Sequence, residues 1–147
     1  MVAVVVVVVV AASAVSTTAL ACQCKPDLTV AEHYSNAEAV FFGVAETVNH
    51  NSKYDTKRKF WEFAIQGIWK GPDQPRIRIY AYDPDGVQNS CDPHFKIGES
   101  YLVFARTLPG YPGRFQASLC SGTVAGAGSL RALRVIGRPE HEYVTVE

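Results

Sequence analysis

Cys22 directly follows Ala19-Leu20-Ala21, a small-x-small triplet of the kind cut by signal peptidase, at the end of an apolar N-terminal stretch. Cleavage there makes Cys22-Gln23-Cys24-Lys25-Pro26 the start of the chain. The new terminus would be a free α-amino group on a residue that a disulfide can lock to the rest of the molecule. All four cysteines, Cys22, Cys24, Cys91 and Cys120, lie beyond the cut. An even count in an exported chain implies disulfides, here two. Cys22 and Cys24 are too close in sequence to bridge each other readily, because alternate side chains diverge. Each must then reach Cys91 or Cys120, and both pairings remain open. Either one closes loops of roughly 70 to 100 residues, worth about 4–5 kcal/mol per bridge at the upper limit of the chain-entropy account. Zinc held by Cys22-x-Cys24 is disfavoured, since zinc sites use wider cysteine spacings and thiolates seldom survive export.

Other chemistry is thinly represented. The four histidines, His33, His50, His94 and His141, have no short metal-ligand spacing. There is no Gly-x-Ser-x-Gly and no phosphate-loop lysine motif. Asp83-Pro84-Asp85-Gly86 resembles the start of a calcium loop, but the twelfth position is His94 rather than Glu, so it reads as a turn. Gly126-x-Gly128 reads as a linker. Trp61, Trp69, Tyr80 and Tyr82 could stack on bases. With 14 basic against 14 acidic residues, however, neither nucleic acid nor an anionic membrane is the expected partner. The chain is not expected to be an enzyme or to carry a cofactor of its own.

The elements that would position Cys22 are mostly strands. Thr29 to Ala39 reads as a short helix, capped by Asp27 or Thr29, with Val30, His33 and Tyr34 on one face. Ala39 to Val48 is β-rich, and His50 to Arg58 is a polar loop. Lys59 to Trp69 alternates, with Phe63, Ile65 and Gly67 on one parity and Glu62, Ala64, Gln66 and Ile68 on the other, which predicts a long strand with one polar face. Arg76 to Tyr82 and Ser100 to Ala105 are further strands. Pro109 to Gly113 reads as a loop before a short strand, Arg114 to Ser118. Gly122 to Gly128 reads as flexible, Ser129 as the cap of a helix with Leu130, Leu133, Val135 and Ile136 as its apolar positions, and the tail from Arg138 as poorly ordered. Five strands with a helix at each end predict a mainly β, small closed barrel of the five-stranded OB type, its N-terminus stapled by disulfides.

Four segments carry a resemblance: Cys22-x-Cys24 at a mature N-terminus, Ile68-Trp69-Lys70-Gly71, the run Phe95 to Ala105, and Ser118-Leu119-Cys120-Ser121. In this order they resemble the netrin-like (NTR) family, and more narrowly the N-terminal domain of the tissue inhibitors of metalloproteinases, over about Cys22 to Ile136. The resemblance implies an OB-like barrel and the pairings Cys22–Cys91 and Cys24–Cys120. It further implies that the α-amine and carbonyl of Cys22 chelate the catalytic zinc of a target metalloprotease, displacing the water that the protease uses as nucleophile. Gln23 would then enter the specificity pocket beside the zinc. Lys25, Pro26 and the loop of Ser90, Cys91 and Asp92 would flank it, with Pro26 stiffening the edge. An α-amine has an ordinary pKa of about 7.7–8.0, so losing its proton to bind zinc near neutral pH is cheap. This sequence lacks the third disulfide usual in the animal inhibitor domain and their cysteine-rich C-terminal domain.

The expected organisation is therefore a signal peptide over residues 1–21, an NTR-type domain over 22–137 and a tail over 138–147, in a secreted, extracellular monomer. Two alternatives stand beside inhibition. One is the same barrel acting as a non-inhibitory binding module for matrix, glycan or signalling proteins. The other is an acylated Cys22, although lipoprotein signals favour Leu three positions before the cysteine and this chain has Ala19 there.

Overall fold

A computed structural model describes residues 22–25, 28–49, 59–81 and 91–143. In chain order the elements are α1 (Val30–Asn36), β1 (Ala39–Asn49), β2 (Phe60–Lys70), β3 (Arg76–Tyr80), β4 (Ser100–Leu108), β5 (Tyr111–Gln116), β6 (Val124–Ala125), α2 (Ala127–Ile136) and β7 (His141–Glu142). The protein is mainly β. Five strands are hydrogen-bonded in the order β1-β2-β3-β5-β4, and β4 returns to pair with β1, so the path closes into a ring. All pairings in the ring are antiparallel except β3–β5, which is parallel.

Alternation along the strands builds the interior. Phe41 of β1, Phe63 and Ile65 of β2, Ile77 and Ile79 of β3, Val103 and Ala105 of β4 and Phe115 of β5 form one buried cluster. Phe95, from the segment leading into β4, joins it edge-on to Phe63, Trp61 and Tyr101, with centroids 4.9, 5.3 and 5.0 Å away. Burying an aromatic or branched side chain of this kind contributes about 1.5–3 kcal/mol. The opposite parity of β1 and β4 serves a second cluster, in which Val40, Leu102, Phe104 and Trp69 pack under Val30 and Tyr34 of α1 and Ala132, Leu133 and Ile136 of α2.

The expected alternation of β2 breaks at its end. Ile68, placed on the polar parity with Gln66, is fully buried in the inner cluster, and Gly67, Ile68 and Trp69 are buried in succession. The cause lies in β1, whose register with β2 shifts at Val40/Phe41, Phe42/Gly43 and Ala45/Thr47, twisting the pair so that Ile68 faces inward and Trp69 faces the helices.

The resemblance-bearing motifs have structural duties. Trp69 donates its indole N–H to Gly137 O at 2.9 Å, at the C-terminus of α2. Lys70 Nζ donates to Tyr34 O (2.6 Å) and Ala37 O (3.3 Å) at the C-terminus of α1, and sits 4.3 Å over the Tyr34 ring. One dipeptide thus ties both helix ends to the sheet. Gly71 adopts φ +104° with the Ala39 methyl against it, 3.0 Å from where a Cβ would lie.

Several boundaries differ from the sequence expectations. The first helix stops at Asn36, because Ala37 is extended and strand pairing resumes at Ala39; its cap is Thr29, closed reciprocally with Glu32. The second begins at Ala127 with Gly126 as its cap position, so Ser129 is not the cap; it is buried and donates to Gly126 O. Its inward face is Ser129, Ala132, Leu133 and Ile136, whereas Leu130 and Val135 are exposed. Pro109-Gly110 alone makes the turn from β4, with β5 starting at Tyr111. Within the stretch expected to be flexible, Val124 and Ala125 pair with β4. Within the expected tail, β7 pairs with β2 at Gly67 and Ile68, and the Tyr143 hydroxyl donates to Asp73. The end of the expected third strand (Tyr82), the 50–58 loop and the 83–86 turn lie outside the described residues.

Candidate functional site

Two disulfides fasten Cys22 and Cys24, which follow Ala19-Leu20-Ala21 in the sequence, to distant parts of the chain. Cys22 is bonded to Cys91 and Cys24 to Cys120, the pairing implied by the resemblance; each pair has its Cα atoms 5.0 Å apart, across 69 and 96 residues of sequence. No free cysteine remains. The bridges fit an oxidising, extracellular-type environment. Among the described residues no helix is long and apolar enough to cross a membrane.

The platform beneath these bridges is built from short-range bonds. Leu119 N–H donates to Cys91 O at 2.9 Å, joining the two loops that receive Cys22 and Cys24. Ser118 Oγ accepts from Cys120 N–H at 3.2 Å, and Ser118 O accepts from the Ser121 hydroxyl at 2.8 Å. Ser121 and Thr123 hydroxyls lie 3.0 Å apart, and Thr123 Oγ1 accepts from Phe104 N–H at 3.3 Å. The Cys120 turn is thereby fixed to β4, in the wall of the ring.

On this platform Cys22 is half-buried, while Gln23, Cys24 and Lys25 are exposed. Cys91 is half-buried beside them, and Asp92 is only 4% exposed, so its carboxylate belongs to the interior of the loop rather than to its surface. Pro26 and Ser90 lie outside the described residues. Leu119, which the sequence expectations do not include as a surface group, is 51% exposed next to Cys120. The signal for it was present in Ser118-Leu119-Cys120-Ser121, where an apolar residue inside a disulfide turn has no strand to bury it.

The sulfurs of Cys22, Cys24 and Cys120 lie within 4.8 Å of one another. All three are oxidised in disulfides, so this cluster offers no thiolate to a metal. The metal-ligating chemistry left to the edge is that of main-chain nitrogen and oxygen. Nearby, the Thr29 N–H and hydroxyl, at 2.7 and 2.8 Å, hold the Glu32 carboxyl below the ordinary carboxylate range, with a smaller contribution from Lys25. This keeps Glu32 ionised and turned onto the start of α1.

Comparison with protein-family models matches none of them, and no curated protein is significantly similar in sequence.

Proposed function

We propose that the protein is a secreted inhibitor of zinc metalloproteases, acting through the N-terminal edge exposed when cleavage after Ala21 frees the α-amine of Cys22. The observation that carries this reading is the double disulfide anchorage. Cys22 and Cys24 flank Gln23, and both are held to a platform fixed to β4. A five-membered chelate through the amine nitrogen and carbonyl oxygen of one residue needs that residue to hold still. Two bridges remove most of the segment entropy that binding would otherwise cost.

In this mechanism Cys22 ligates the zinc of the protease and takes the place of its bound water, removing the nucleophile. Gln23, exposed between the bridges, enters the pocket next to the zinc. Lys25, Cys91 and Leu119 supply the surrounding contact. The protein needs no metal of its own. The order of the strand ring and its single parallel pair, β3 with β5, support reading the fold as an OB-type barrel of the NTR kind over residues 22–137.

The test is inhibition of a panel of zinc metalloproteases by the processed protein, paired with an intact-mass measurement of the secreted product. The expected mass is that of a chain starting at Cys22 with both bridges formed and no lipid. A start elsewhere, an acylated Cys22, or no inhibition across the panel overturns the reading.

A further inference from the structure

Behind the disulfide edge lies a cleft of about 380 Å³, and the charged residues among the described ones that line it, Lys25 and Arg106, are both basic. Lys25, from the N-terminal segment, and Arg106, on β4, both border it, with His33 and Asn36 of α1 and Gln116 of β5. Among the described residues that line it, none carries a carboxylate. Glu32 and Glu38 act on Lys25 and Arg106 through their charges, while their carboxylate oxygens accept hydrogen bonds from Thr29 and from the backbone N–H of Thr107.

The cleft also has a fixed apolar wall. The His33 ring lies against Phe104, with centroids 6.1 Å apart, and against the backbone at Gly122. A Cβ on Gly122 would fall 2.4 Å from His33 Cγ, so only glycine lets the loop close on the imidazole at this distance. The ring is thus clamped from two sides rather than free to swing. Phe104 and Ala117 form a buried floor.

We propose that this cleft binds a small organic anion: a carboxylate received by Lys25 and Arg106, carried on a ring or compact apolar body that rests against the half-buried His33. The size suits a single-ring molecule, at the small end of ligand pockets. Lys25 and Arg106 provide charge-assisted donors, and the amides of Asn36 and Gln116 provide further orientation. The proposal does not depend on protease inhibition, because it uses none of the main-chain atoms assigned to zinc.

The test is titration of the isotope-labelled, oxidised protein with benzoate, neutral benzamide and inorganic sulfate, followed by amide and side-chain NMR shifts. Benzoate is expected to give saturable shifts centred on Lys25, His33, Arg106 and Gln116, with benzamide and sulfate each binding at least about tenfold more weakly. The exposed substitutions R106Q and K25Q are expected to weaken benzoate by a similar factor while the melting temperature stays unchanged. Shifts that do not saturate, that scatter over the surface, or that survive both substitutions overturn the site. Equal binding of benzamide overturns the role of charge, and equal binding of sulfate overturns the role of the ring.

Discussion

Cys22 Sγ lies 3.5 Å from Cys120 Sγ, although the two atoms belong to different disulfides. Neither sulfur carries a proton, so this is a contact between bridges and not a hydrogen bond. It means that the two staples converge on one spot, and that each is within reach of a thiol released from the other.

Exchange between the bridges follows from that distance. In C91S, Cys22 becomes a thiol beside the Cys24–Cys120 bridge. Its thiolate attacks Cys120 Sγ, forms Cys22–Cys120 and releases Cys24 as the thiolate, with no net oxidation. Alkylation followed by peptide mapping should find both Cys22–Cys120 and Cys24–Cys120. A population holding only Cys24–Cys120 would show that the contact does not permit exchange.

Gly43 is needed where β1 bulges against β2. A Cβ there would lie 2.5 Å from the carbonyl oxygen of Ala64, which is backbone and cannot swing aside. G43A should lower unfolding free energy by about 1–3 kcal/mol or prevent folding, as overpacking does. Urea denaturation that leaves its midpoint unchanged would contradict this.

Lys70 joins α1 to the sheet through two carbonyls and the Tyr34 ring. K70M keeps the hydrocarbon stem and loses the donors, so about 1–2 kcal/mol of stability should go, with early hydrogen exchange in α1. Unchanged protection of Tyr34 to Ala37 would show that the tie is incidental.

Thr29 and Glu32 give an acid-sensitive cap. The Glu32 carboxyl is held below its ordinary value by bonds from Thr29, so its folded pKa lies beneath the unfolded one. Such a group stabilises the fold above the unfolded pKa, and the contribution is lost as pH falls through the folded value. T29A should therefore unfold at a lower denaturant concentration than the parent at pH 7, with the gap narrowing below about pH 4. A gap that stays constant with pH would contradict the linkage.

Much of the strand architecture is legible in the alternation of β2, β3 and β4, because each strand has one face in the ring. What pattern alone misses has a physical reason in each case. Ile68 and Trp69 swap their expected environments because bulges on another strand retwist β2. Leu130 and Val135 look like core in a helix but are exposed, since the cap lies at Gly126 and turns Ser129 and Ala132 inward beside the expected Leu133 and Ile136. The tail looks featureless, yet two residues find the free edge of β2. Cysteine spacing leaves two pairings open at the site, and Cys22–Cys91 with Cys24–Cys120 is the one formed. The cleft at Lys25 and Arg106 has no sequence signature, because residues from four separate segments line it.

The most direct measurement compares the inhibition constant of the protein beginning at Cys22 with that of a form carrying one extra alanine before it, against the same zinc metalloprotease. The added residue converts the amine to an amide and leaves both disulfides in place. Loss of a metal-ligating nitrogen should weaken inhibition by at least about a hundredfold, roughly 2.7 kcal/mol. Equal potency of the two forms, or no inhibition by either, would contradict chelation through Cys22.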